Sequence, residues 1–111
     1  MPNKDEKAQR KEVLHRVRDE ERQRTLAAFP AAPPVLKQLF GYLDQRLSAD
    51  GCDDTLRFAR EFVLHNALPE QKIVAWLEEN GGYCDCEALD NVEQIVSEAV
   101  PDYDHLGKIA L

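Results

Sequence analysis

The stretch Val35-Leu36-Lys37-Gln38-Leu39-Phe40-Gly41-Tyr42-Leu43-Asp44-Gln45-Arg46-Leu47 decides the fold class. Its apolar residues Val35, Leu36, Leu39, Phe40, Leu43 and Leu47 recur at intervals of three and four, which places them on one stripe of an α-helix. A strand would need alternation every second residue, and no such pattern occurs here or elsewhere in the chain. The stripe stops near Ser48-Ala49-Asp50-Gly51, so one helix with one buried face is expected between the prolines at 33 and 34 and Gly51.

The same periodicity continues downstream. A third helix carries Leu56, Ala59, Phe62 and Val63, with Asp53 or Asp54 as its cap, and ends near Asn66 and Ala67. Pro69 suits the first position of a fourth helix, whose apolar side is Ile73, Val74, Trp76 and Leu77. Asn80-Gly81-Gly82 ends it, because glycine takes the left-handed conformation without a Cβ penalty. A fifth helix starts around Asp85 to Glu87, buries Leu89, Val92 and Val96, and stops before Pro101, leaving Asp102 to Leu111 as a tail.

Upstream, Lys4 to about Ala28 is rich in Lys, Arg, Glu and Gln, with a thin apolar set at Ala8, Val13, Leu14, Val17 and Leu26. It reads as a long, solvated helix, supported by pairs such as Glu12 with Arg16 and Glu20 with Arg24. Phe29-Pro30-Ala31-Ala32-Pro33-Pro34 breaks it. The expected architecture is all-α: a charged helical arm over residues 1–30, then a compact domain of about four short helices over residues 31–111. Internal repeats and glycine-rich phosphate loops are absent from the sequence.

Charge narrows the function classes. The 111 residues carry a net charge of −7. Residues 4–24 hold eight basic and six acidic side chains, which leaves six basic and fifteen acidic in the rest. Binding to phosphate backbones draws on clustered Lys and Arg, so nucleic acid is an unfavourable partner. A protein partner with a basic face fits better, reached through the body or the N-terminal helix. The charged start at Met1-Pro2-Asn3-Lys4-Asp5-Glu6 and the lack of a long apolar run point to the cytoplasm rather than a membrane. In that reducing compartment three cysteines are not expected to form a disulfide framework.

Those cysteines are the main chemical signal. Cys52 precedes the third helix, and Cys84 and Cys86 open the fifth, so all three are expected at helix N-termini, where free amides favour the thiolate. If the third and fourth helices are joined by a tight turn, they run antiparallel, and the chain after the fourth helix returns to the start of the third. Cys84 and Cys86 then meet Cys52 across 32 residues of sequence.

Three readings of such a cluster stand side by side: a zinc or other metal site, a thiol redox pair, and plain packing of small apolar side chains. Three sulfurs are three-quarters of a structural zinc site, although Cys-x-Cys is not the common Cys-x-x-Cys spacing. Asp54 is the preferred fourth ligand over Asp53, His105 and a water. His65 lies about 18 Å along the helix and is a poor choice. Asp53, Asp54, Asp85, Glu87 and Asp90 would raise a neighbouring thiol's pKa and so oppose a reactive nucleophile, while favouring a bound cation. With no histidine adjacent in sequence to a cysteine, enzymatic readings gain little. Tyr83 and Trp76 read as buried aromatic packing.

The run Gly81-Gly82-Tyr83-Cys84-Asp85-Cys86-Glu87-Ala88-Leu89-Asp90-Asn91-Val92 resembles the signature of a bacterial family known only as a domain of unknown function. Gly51-Cys52-Asp53-Asp54-Thr55-Leu56-Arg57 resembles its second motif, and the similarity spans nearly the whole chain. Members often carry histidine where this chain has Asp54. The resemblance therefore implies Cys52, Cys84 and Cys86 as ligands, with an aspartate oxygen replacing an imidazole nitrogen at position 54.

Overall fold

The computed structural model describes residues 18–106, and these form an all-helical structure. The expected arm helix is seen from residue 18 to 27 (α1), and its earlier part lies outside the described residues. Its end packs on the domain: Leu26 and Phe29 lie against the core, and the Phe29 ring meets Trp76 edge-on at 5.7 Å.

Helix α2 runs Pro33–Asp50. Two prolines sit in its first turn, where their missing N–H groups need no partner, and Ala32 before them is extended. Leu36, Leu39, Phe40 and Leu43 are fully buried, which is the stripe read from the sequence. Gly51, at φ 74°, turns the chain away while its amide closes on the Leu47 carbonyl.

Helix α3 spans Arg57–His65 and α4 spans Glu70–Glu79. Both end in the same way. After α3 the amide of Leu68 reaches the Val63 carbonyl and that of Ala67 the Leu64 carbonyl, with Ala67 left-handed at φ 52°. After α4 Gly82 reaches Leu77 at 2.7 Å and Gly81 reaches Glu78, with Gly81 at φ 91°. These are paired Schellman closures. The first sends α4 back along α3, and the second delivers the following segment to the start of α3. Pro69 is the cap of α4 rather than its first residue.

The last helix, α5, covers residues 85–99 and changes pitch midway. Asp85–Glu87 and Glu93–Ala99 are α-helical, whereas Ala88–Val92 is a π turn. Ala88, Val92 and Val96 are completely buried. The expected tail is not free at its start. A 3-10 turn at Tyr103–His105 buries Tyr103, whose hydroxyl donates to Glu93 at 2.6 Å and whose carbonyl accepts from Lys37 at 2.6 Å. Phe58 and Ala88 also join the core, although neither stood out in the sequence pattern.

Candidate metal centre

Cys52, Cys84 and Cys86 come together. Their three sulfurs all lie within 4.8 Å of one another, and Cys84 Sγ is 3.3 Å from Cys86 Sγ. Among the described residues these are the His, Cys, Asp and Glu side chains grouped closely enough to share a metal ion. Exposure falls across the cluster: Cys52 is exposed, Cys86 half-buried and Cys84 5% exposed.

Local structure explains this placement. Cys84 is the extended residue just before α5, and Cys86 lies in its first turn. Cys52, by contrast, sits in the loop five residues before Arg57 and not at a helix N-terminus. A side-chain turn shapes that loop, Asp53 Oδ1 accepting both the amide of Thr55 at 3.0 Å and its hydroxyl at 2.5 Å. Asp53 is thereby committed to the loop and does not cap α3, and Asp54 does not cap it either; Leu56 occupies the cap position.

The cap comes from another helix. Asp85, which lies between Cys84 and Cys86 in the sequence and is fully buried, accepts the amides of Phe58 and Ala59, each at 3.0 Å. Its own amide donates to the Thr55 carbonyl at 3.0 Å. Burial pushes the Asp85 carboxyl up from its ordinary range, and the two amides pull the other way. The residue that holds the cysteine segment in place is thus the one that completes α3.

The thiols differ electrostatically. Backbone hydrogen bonding from Cys86 holds the Cys52 thiol below its ordinary pKa against the opposing effect of burial, and the Asp54 amide and the other two thiols add to the lowering. Hydrogen bonding with the Cys84 and Cys52 sulfurs pushes Cys86 up to about 12. The sequence reading had the carboxylates raising the cluster. At Cys52 the backbone amides win, because Asp53 is turned to Thr55 and Asp85 to α3.

Asp54 stands beside the cluster by its amide. Its carboxylate lies outside the 4.8 Å group, and its backbone is left-handed at φ 66°. With Tyr83, Arg57, Arg60 and Glu78 it borders an open groove of about 450 Å³ next to the cysteines. Tyr83 is 64% exposed on this rim, so the expectation that it packs in the core is wrong, whereas Trp76 is buried as expected. His65 and His105 are also outside the sulfur group.

The family model described as "Protein of unknown function (DUF2695)" matches residues 39–91, a span containing all three cysteines and Asp85. An uncharacterized protein of Mycobacterium bovis is 33% identical over 93 residues, covering 84% of this chain and 94% of the relative. Uncharacterized proteins from two Mycobacterium tuberculosis strains match to the same extent. The chain belongs to the DUF2695 family. No solved structure matches this DUF2695 chain. No helix among its described residues is long and apolar enough to cross a membrane.

Proposed function

We propose that this DUF2695 protein is a non-enzymatic interaction module built around a zinc ion held by Cys52, Cys84 and Cys86. The observation that carries the reading is the spacing of the sulfurs. Zinc–sulfur bonds of about 2.3 Å at tetrahedral angles separate two sulfurs by about 3.8 Å. The distances here, 3.3 Å for Cys84 to Cys86 and at most 4.8 Å for any pair, bracket that value. Soft thiolates suit zinc, and the fourth position falls to the Asp54 carboxylate, after a side-chain rotation, or to water.

We divide the module into an arm over residues 1–30 and a body over residues 31–111 and place it in the cytoplasm, where thiols stay reduced. The arm is the segment we assign to a protein partner. Its mixed charges set against the acidic body disfavour nucleic acid.

Native mass spectrometry of protein purified without added metal or chelator tests the reading. One zinc per chain, lost in Cys84→Ser, is the expected result. A metal-free mass that stays metal-free after addition of equimolar zinc would overturn it.

A further inference from the structure

We propose that Cys52 is an oxidation site: its thiolate attacks hydrogen peroxide, Cys86 resolves the product as a Cys52–Cys86 disulfide, and the bound metal leaves. The inference rests on the metal reading above and adds its regulation.

Accessibility selects Cys52. It is exposed, whereas Cys84 is buried and Cys86 half-buried, so an oxidant from solvent meets the Cys52 sulfur first. The geometry then supplies a partner, since both other sulfurs lie within 4.8 Å. Cys86 is the better resolver because it is less buried than Cys84.

Disulfide formation requires the sulfurs to close to about 2.05 Å. The loop can supply that movement. Cys52 lies between anchors at Gly51, which bonds Leu47, and Thr55, which bonds Asp85, with no helix of its own to unwind.

The chemistry balances as follows. The Cys52 thiolate attacks the peroxide, the O–O bond breaks, and Cys52 sulfenic acid and hydroxide form, sulfur losing two electrons to oxygen. The Cys86 thiolate then attacks the sulfenic sulfur, the S–O bond breaks, and a second hydroxide leaves as the S–S bond forms. Two protons from solvent convert both hydroxides to water. The metal is left with Cys84 alone among its three sulfur ligands and dissociates.

The test treats the zinc-loaded full chain with hydrogen peroxide while a chromogenic chelator reports free zinc and peptide mapping locates the bond. Zinc release in step with a Cys52–Cys86 crosslink, reversed by dithiothreitol and zinc, is expected. A parallel sample of metal-free Cys86→Ser, treated with peroxide and dimedone, should carry the label on Cys52 at least about tenfold above Cys84. Zinc that stays bound through oxidation, a Cys84–Cys86 crosslink, or label mainly on Cys84 overturns the inference and leaves the metal reading intact. A chain that takes up no zinc at the outset defeats the metal reading first, and metal release with it.

Discussion

Asp85 Oδ1 lies 3.0 Å from the amide nitrogen of Ala59, 26 residues away in sequence, and this bond ties α5 to the first turn of α3. Its other oxygen binds the Phe58 amide. Asp85→Ala leaves two buried amides without an acceptor, each costing about 1–3 kcal/mol. We expect a total loss of about 2–6 kcal/mol in urea unfolding, and a smaller loss for Asp85→Asn, which keeps one acceptor. Equal losses for the two variants would show that the paired amides do not set the energy.

Gly82 is packed closely. A Cβ there would fall 3.0 Å from Ala88 Cα and 3.1 Å from the Leu77 carbonyl oxygen, both backbone atoms. Gly82→Ala should therefore cost about 1–3 kcal/mol, as overpacking does. Because the chain must move to relieve the contact, Cys84 moves too, so zinc affinity should fall along with the melting temperature. At Gly41, where a Cβ would meet nothing within 4 Å, the same substitution should leave zinc affinity unchanged.

Tyr103 gives the alkaline limb of stability. Burial, then its hydrogen bond to Glu93, pushes the phenol well above its ordinary pKa. The folded-state value exceeds the unfolded one, so the contribution is complete below about pH 10 and declines as pH rises past the unfolded value. Tyr103→Phe should lose about 1 kcal/mol at pH 7 and show a shallower decline between pH 9 and 11, read from urea midpoints.

Metal binding should release protons. Cys86, pushed up to about 12 in the metal-free cluster, must shed its proton to ligate, while Cys52 starts closer to the thiolate. Zinc titration in weak buffer at pH 7 should acidify the solution by about two to three protons per ion, and the apparent affinity should rise with pH. Release of fewer than one proton would exclude three thiolate ligands.

Most of the fold was legible because helical periodicity reports burial directly. Leu36, Leu39, Phe40 and Leu43 lie where the stripe of α2 puts them, and Gly81 takes the left-handed turn expected of it. The meeting of Cys52 with Cys84 and Cys86 followed from one tight turn between α3 and α4. The role of Asp85 was not legible, because a side chain that caps a different helix leaves no local pattern. Tyr83 was misjudged for a related reason. Residue type favours burial, but the segment after Gly82 is turned by its close packing on Ala88, which leaves the ring on the outside. The tail's contribution through Tyr103 was hidden by its polar neighbours Asp102, Asp104 and His105.

The π turn at Ala88–Val92, where the Glu93 amide reaches back five residues to the Ala88 carbonyl, means that α5 holds one residue more than a regular helical path between its flanks needs. That surplus residue is a length allowance. Removing the exposed Asp90 should let the turn tighten to ordinary pitch, with Asp85 and Val96 still facing inward. The same one-residue deletion inside α3 or α4 would swing everything beyond it by about 100° and turn half the buried face to water. Chains of this kind can therefore differ in length at this one point of the helix and keep the cysteine segment in register with the core.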